Sequence, residues 1–456
     1  MRRVVKVSRI RIIITIIVVV LTTLLTGCTG KEPNEIAYVV ALGIDSTDDD
    51  NYKITIQYAN TTQISGGASE SGGKAGSEIV DNVTIEAPNI YAGVGLANNI
   101  VSKSFSMSHA KLIVFSKEIA EKGVKDMIET LVRSEEIRPD VFIAVANTTA
   151  NDYLTSVNPE MEVNPAQYYQ LIYQKNQLVG IPDGQLREFF TGLYTDNYDS
   201  ILPVAGVIEG AGGNSQNDDK GQSKDGQNEG SEGSSESLDS FESKSSDDKD
   251  ENEKEKDAEK NTSKYEYDIK NYVGGETAIE KKNKAEAIGA AVFEKDKMVG
   301  ELGEVETEIC KILKGDYTYS YLTYYNNDTP DIPITVKTTQ QKKPKYKIDT
   351  DKKTVDIELY IESDLYSLPA DYNVENKIED FERDVANYTS SACTEFINNF
   401  TKKYNSDILK LNEKVKYKFL TNNQYNWFKK NVGWSDYKFS VCTNFKVRRT
   451  GLIVRE

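Results

Sequence analysis

The fold can be worked out from residues 35–45, which read EIAYVVALGID. A short run of apolar residues with an acid at each end is typical of a buried β-strand. Residues 52–58 (YKITIQY) alternate between polar and apolar side chains, and the acidic turn from Ser46 to Asn51 separates the two stretches. We therefore predict a β-hairpin built from these two strands.

Strands and helices alternate after this hairpin. The pattern predicts strands at 83–86, 111–115 and 141–146, a helix with Ile90, Val94, Ala97 and Val101 on one face, and a single amphipathic helix over 117–133. Helical and loop segments continue from Ala150 to about Pro203. Such alternation indicates an α/β or α+β layer structure, and we assign residues 28–208 to N-terminal α+β structure.

Residues 209–262 differ in kind from the rest of the chain. They consist mainly of Gly, Ser, Asn, Gln, Asp, Glu and Lys, and their net charge is −10. Such a segment cannot bury enough apolar surface to offset the entropy lost on ordering. We therefore predict a disordered acidic Gly/Ser-rich linker over 209–264. It is either a flexible spacer or interaction tail, or a tolerated loop insertion, and we favour the insertion.

The C-terminal region, residues 265–456, is also predicted to be α+β. We expect strands at 288–293, 317–325, 332–338, 345–348, 354–361 and 437–448, and short helices at 307–314 and 423–430. Apolar side chains recur at steps of three or four from Ile378 to Tyr404, which predicts a long amphipathic helix. Such a helix can bind a partner, but packing on the chain's own sheet is commoner, and we expect that arrangement. The whole chain is thus predicted to be a multi-domain α+β protein with small mixed β-sheets flanked by helices.

The N-terminus carries the signals of an exported lipoprotein. Residues 1–11 are basic, residues 12–25 are apolar apart from three threonines, and Leu25-Thr26-Gly27-Cys28 follows. We predict a signal peptide over 1–27 with cleavage after Gly27, because small residues precede the cysteine at the end of an apolar core. A diacylglyceryl group on Cys28 would hold the chain to the outer face of a membrane, since two acyl chains anchor stably. The alternatives are an uncleaved anchor helix and an ordinary signal peptide with a chance cysteine.

Charge and cysteine content exclude several classes of function. The net charge is −17, and it is −22 from Cys28 onward because the first 27 residues hold five bases and no acid. Such a surface repels phosphate backbones, so we predict no nucleic-acid binding. The remaining cysteines, Cys310, Cys393 and Cys442, are too widely spaced to indicate a zinc site or a disulfide framework. We expect buried free thiols, although one bonded pair among the three would also fit.

The sequence also lacks the motifs of the common enzyme classes. His109 is the only histidine and no Gly-x-Ser-x-Gly occurs, so neither a hydrolase triad nor an HExxH zinc site is indicated. The Gly-rich stretch 66–75 lacks the first glycine and the Ser/Thr of a phosphate-binding loop. We therefore predict no enzymatic activity, no cofactor and no metal site. His109 is expected to be a turn residue at the entry to the strand that begins at Lys111.

Four blocks of this sequence resemble the Ger(x)C lipoproteins of spore-forming bacteria. The blocks are the lipobox with residues 35–45 and 52–57, residues 84–87 with 109–123 and 131–138, residues 289–302 with 306–307, and residues 404–408 with 427–428 and 447–451. They occur in the family's order along nearly the whole mature chain. The acidic segment 209–262 is not generally present in the family, and Thr29-Gly-Lys-Glu32 replaces the usual acidic-aromatic start after the lipidated cysteine.

The resemblance implies a C subunit of a nutrient germinant receptor, located on the outer surface of the spore inner membrane. Such subunits assemble with an A subunit and a transporter-like membrane B subunit, and no catalytic activity is implied. No germinant-binding residue carries over, so a small-molecule germinant is expected to act on this subunit only indirectly. The rival hypothesis is a solute-binding lipoprotein of a transport system, which predicts two doubly wound lobes around a cleft.

Overall fold

Two β-sheets organise the part of the protein that the computed structural model describes. The described residues are 14–17, 35–49, 51–59, 80–158, 164–174, 180–195, 197–208, 271–277, 283–325, 333–367, 377–404 and 406–449. Cys28, the Gly-rich stretch 66–75 and the predicted linker 209–264 lie outside these residues, so the predictions made for them stay predictions. None of the helices in the described ranges is long and apolar enough to cross a membrane.

Within the described residues, sheet 1 has nine strands. They are β1 (Ile36–Ser46), β2 (Tyr52–Ala59), β3 (Val80–Ala87), β4 (Ser104–Ser106), β5 (Leu112–Ser116), β6 (Phe142–Ala146), β7 (Ile201–Val207), β8 (Ala285–Glu294) and β9 (Lys297–Leu302). Their order is β3-β2-β1-β5-β6-β7-β8-β9, with β4 pairing the start of β1. The central strands β1, β5, β6 and β7 are parallel, and the strands at both ends are antiparallel.

Helices cover both faces of sheet 1. One face packs against α1 (Ile90–Ala97), α2 (Lys117–Lys122), α3 (Lys125–Val132) and α6 (Leu186–Thr195), and the other against α4 (Ala150–Ser156) and α5 (Pro165–Gln174). Every residue of β5 and of β6 is buried because the two strands lie between these layers. In β1 a bulge between Val39 and Ala41 reverses the alternation, so Val39 and Leu42 face the same layer.

The predicted single helix over 117–133 is wrong, because the structure divides it into α2 and α3. Gly123 lies between them at a φ of 123°, a conformation that side chains with a Cβ rarely adopt. The N–H of Val124 then donates to the carbonyl of Asp296, at 3.0 Å, in the turn between β8 and β9. The break therefore ties the helical layer to the end of the sheet, a tertiary contact that helical periodicity does not report.

Sheet 2, as far as the described ranges show it, has five strands and lies with its buried side against helices. The strands are β10 (Tyr319–Tyr325), β11 (Pro333–Gln340), β12 (Lys345–Asp349), β13 (Thr354–Ser367) and β14 (Lys438–Arg449). The helices of this region are α7 (Glu304–Lys314), α8 (Ile378–Lys403), α9 (Leu411–Val415) and α10 (Asn422–Asn431). The two longest strands, β13 and β14, pair in parallel, and every other strand pair in this sheet is antiparallel.

Helix α8 packs on its own chain's sheet, as the sequence indicated, and it also covers an edge of that sheet. A stripe of polar side chains, spaced by four or eight residues, faces the free edge of β14. Asn398 accepts from Phe439 N–H at 3.1 Å, and Thr394 accepts from Val441 N–H at 3.0 Å. Ser390 and Glu382 accept in the same way from the N–H groups of Thr443 and Val447, at 2.9 and 2.8 Å. The helix therefore satisfies backbone donors that an edge strand normally exposes.

The predicted α+β class, with mixed sheets flanked by helices, is confirmed. Sheet 1 is larger than the small sheets that we expected, because it takes strands from both sides of the acidic segment. Strand β8 follows that segment and pairs antiparallel with β7, which precedes it. The proposed division of the chain at residue 265 stays a prediction. Sheet 1 contains strands from before and after that residue.

The edge-covering stripe gives a first prediction. Replacing Asn398→Ala should lower the free energy of unfolding by about 1–3 kcal/mol, because it leaves the Phe439 N–H and the Phe439 carbonyl, which accepts from Asn398 at 3.0 Å, without their partner. The control is Asn399→Ala, an exposed neighbour on the same helix, which should change it by less than about 0.5 kcal/mol. Urea unfolding measures both. Equal losses in the two variants would contradict a role for the stripe.

Candidate functional site

Two aspartates join three parts of the chain. These parts are the segment before β7, the β8–β9 turn and the segment after α8. Asp199 precedes β7, and Asp407 follows α8. The N–H of Asp407 donates to Asp199 Oδ2 at 2.8 Å, and the N–H of Asp199 donates to the Asp407 carbonyl at 3.2 Å. Asp199 Oδ1 also accepts from Lys295 N–H at 2.9 Å. Two side-chain oxygens of one residue therefore hold two segments that are distant in sequence.

Asp407 is a buried carboxyl group that organises the chain around it. Its Oδ1 accepts from Leu411 N–H and its Oδ2 from Asn412 N–H, both at 2.8 Å, at the start of α9. Burial raises the pKa of Asp407 to about 7, against the lowering effect of these two backbone hydrogen bonds. Burial also raises the pKa of Asp199, although its backbone hydrogen bonds oppose the change.

The Lys410 ammonium, close to Asp407 in sequence, pairs with Glu188 of α6. Lys410 has a left-handed backbone with a φ of 57°. Its Nζ lies 3.1 Å from Glu188 Oε2 and 4.1 Å from the centroid of the Tyr198 ring. The Tyr198 O–H donates to the Glu188 carbonyl at 3.0 Å. We call Glu188, Tyr198, Asp199, Asp407 and Lys410 the polar junction.

Two clefts open on either side of the polar junction. The larger has a volume of 770 Å³ and includes Asp199, Lys295, Lys429 and Trp434 in its wall. The smaller has a volume of 380 Å³ and shares Tyr198 and Asp199 with the first. Lys429 donates to the Thr195 carbonyl at 3.3 Å and to Asn197 Oδ1 at 3.1 Å. Lys429 and the polar junction thus hold separate parts of the chain together, and the arrangement is that of a cross-link.

The structure places His109 where the sequence predicted, in the turn before β5. It is exposed, its ring centroid lies 4.8 Å from that of Tyr38, and its Nδ1 lies 3.0 Å from Ser108 Oγ. Among the described residues, no three His, Cys, Asp or Glu side chains are grouped so that they could hold a metal ion.

The cysteine prediction is correct in part. Cys310, Cys393 and Cys442 are all free, and the first two are buried. Burial raises the pKa of Cys310 to about 11 and that of Cys393 to about 12, which disfavours the thiolate form at neutral pH. Cys442 is exposed on the outer side of sheet 2, contrary to the expectation of a buried thiol.

Sequence reasoning missed the polar junction entirely. Asp407 stands four residues before Leu411, so a helix-start signal was available in principle. Asp199 gives no signal at all, because its partners lie at positions 295 and 407. These residues come together only in the folded chain.

Comparison with known proteins identifies the class. A family model described as the spore germination protein N-terminal domain matches residues 30–207. A second, described as spore germination B3/GerAC like, C-terminal, matches residues 288–451. The two models define a two-part spore germination protein. The chain belongs to the Ger(x)C family of such proteins, as its sequence blocks indicated.

Individual relatives are distant. Spore germination protein KC of Bacillus subtilis (strain 168) is 26% identical over 174 residues, which cover 35% of this chain and 42% of that protein. Spore germination protein B3 of the same organism is 26% identical over 148 residues, which cover 30% of this chain and 36% of that protein. The chain thus spans less than half the length of the curated relatives it matches. The crystal structure of the GerBC protein aligns over 89% of this chain and 96% of its own, with a TM-score of 0.48 and 15% identity.

The buried Asp407 gives a second prediction, on pH. Its pKa is raised from 3.8 to about 7 in the folded chain, so the folded state favours the protonated carboxyl. The stability that this supplies is complete below about pH 4 and is lost as the pH rises through 7. Asp407→Asn stays neutral, so the stability of wild type relative to this variant should fall by a few kcal/mol between pH 4 and 8, since one pKa unit is about 1.4 kcal/mol.

Urea unfolding at several pH values measures this difference. The matched control is Asp48→Asn, which neutralises an exposed loop carboxylate and should follow the wild-type pH profile. A constant offset between wild type and Asp407→Asn across the range would show that Asp407 does not titrate with folding.

Proposed function

We propose that this chain is the lipid-anchored C subunit of a spore nutrient germinant receptor. In this proposal it acts in germination by binding the membrane A and B subunits, and it is not an enzyme. The observation that carries the proposal is the order of three features along the chain. A lipobox ending at Cys28 is followed directly by the N-terminal family region at 30–207, and then by the C-terminal one at 288–451.

Anchoring explains how such a subunit can work through weak contacts. Two acyl chains hold a protein on a membrane stably, so the folded part stays next to membrane-embedded neighbours. Tethering turns each contact into an intramolecular event at high effective concentration. The small-molecule germinant acts on this subunit only through the assembled receptor. The acyl group would lie on the outer face of the spore inner membrane.

The rival hypothesis, a solute-binding lipoprotein, fits the described architecture poorly. It predicts two doubly wound lobes, in which each sheet is mainly parallel and is covered on both faces. Sheet 1 is covered on both faces, but its parallel strands are confined to its centre and antiparallel strands stand at both ends. In sheet 2 the buried residues of β13 and β14 alternate strictly with exposed or half-buried ones, which is typical of a sheet with one solvated face.

Replacing Cys28→Ala tests the proposal. We expect the chain to leave the membrane fraction, and the spores to lose most of their response to nutrients. A calcium chelate that triggers germination directly should stay effective, because it bypasses the receptor. Cys442→Ala removes an exposed thiol from sheet 2 and serves as the matched control, which should keep both anchoring and germination.

Cell fractionation, mass spectrometry of the mature N-terminus and germination assays give separate readings. A chain that leaves the membrane while nutrient germination is unchanged would contradict the receptor role. A Cys28→Ala chain that stays in the membrane fraction would contradict the lipid anchor and favour an uncleaved helix over residues 12–25.

A further inference from the structure

The end of α1 exposes two large apolar side chains. Ile90, Val94 and Ala97 of this helix are buried in the core of sheet 1, as an amphipathic helix requires. In contrast, Leu96 is 48% exposed and Ile100 is 69% exposed. Single exposed apolar side chains are ordinary on a protein surface, but two on one turn give a surface that can enter an apolar phase.

The two side chains belong to one projecting turn. Hydrogen bonding of helical type continues beyond Ala97, because the N–H of Ile100 and that of Val101 both donate to the Ala97 carbonyl, at 3.0 and 3.1 Å. Residues four apart in such a turn lie on the same side. Leu96 and Ile100 therefore form one small apolar surface, which we call the apolar tip.

The apolar tip lies at the end of sheet 1 where β1 begins. Ile100 precedes β4 by four residues, and Ser104 of β4 pairs in parallel with Ile36, the first residue of β1. Asn98 fixes the turn against that strand, since its Oδ1 accepts from Phe105 N–H at 2.8 Å. The tip and the first residue of β1 therefore lie at the same end of the sheet.

The sequence limits how far this end can lie from the acylated residue. Ile36 follows Cys28 by eight residues. Eight residues span at most about 28 Å even when fully extended, at about 3.5 Å per residue. An acyl group at Cys28 in the membrane would therefore hold the start of β1 within about 28 Å of the head groups, with the tip at the same end of the sheet.

We propose that the apolar tip, Leu96 and Ile100, inserts into the interfacial region of the lipid bilayer. This inference rests on the proposed lipid anchor at Cys28. Two side chains are too few to bind a membrane by themselves, but the anchor supplies the local concentration that makes their partitioning effective. The tip then fixes the orientation of sheet 1, with the start of β1 toward the lipid and its far end away from it.

Tryptophan quenching by brominated lipids tests the tip directly. The probe is Ile100→Trp in the lipidated full-length chain, reconstituted into phosphatidylglycerol/phosphatidylethanolamine vesicles that contain no other protein. The control is Asp48→Trp, an exposed position just beyond the far end of β1, which itself spans about 35 Å. The quenching of the native Trp427 and Trp434 is measured on the chain without an added tryptophan and is subtracted.

We expect the added tryptophan at position 100 to be quenched at least threefold more than the one at position 48, with a blue-shifted emission. Equal quenching at both positions would overturn the inference while leaving the anchor intact. If mass spectrometry finds no acyl group on Cys28 and the chain does not associate with vesicles, the proposed anchor fails, and the inference fails with it. A Leu96→Asp change in the Ile100→Trp chain should abolish the extra quenching without removing the chain from the vesicles.

Discussion

Strand β7 is buried within sheet 1 and needs hydrogen-bond partners along both of its edges. Its pairing with β6 is short and covers only two registered pairs, Val145 with Val204 and Ala146 with Ala205. Its other edge is filled by β8, from Ile201 opposite Val292 to Val207 opposite Ala285. Without β8, a row of buried backbone N–H and C=O groups would lack partners, at a cost of about 1–3 kcal/mol each. The chain must therefore return to sheet 1 after the acidic segment.

This return also creates the connection between the two sheets. It places the β8–β9 turn beside Asp199, so that Lys295 can donate to it. The chain then passes through sheet 2 and α8 and brings Asp407 to the other oxygen of the same carboxylate. Burying two carboxyl groups next to each other is costly, and their raised pKa values show it. The polar junction is thus held by five backbone donors rather than by opposite charges alone.

Local pattern was enough for some elements of this fold and not for others. Residues 35–45 and the 378–404 periodicity gave a strand and a helix because apolar spacing reports burial directly. The break at Gly123 was missed since its cause is a contact with Asp296, far along the chain. The polar stripe of α8 was equally hidden, because Asn398 and Thr394 look like ordinary surface residues until an edge strand is placed against them. The polar junction depends on pairings across hundreds of residues, which single-sequence spacing does not encode.

The pairing of Val207 with Ala285 has a consequence for how this family can vary. The fold holds both ends of the intervening chain next to each other, with the Ile208 N–H bonded to the Lys284 carbonyl at 2.9 Å. Residues 271–277 of that chain are bonded to the sheet, since the Gly274 N–H donates to the Ile288 carbonyl at 2.9 Å. For the chain before residue 271, the entropy of joining two fixed ends rises only logarithmically with length, by about 0.6 kcal/mol for each doubling. A change in the length or charge of the acidic segment before residue 271 thus costs the core little, and relatives with the same core can differ at this point.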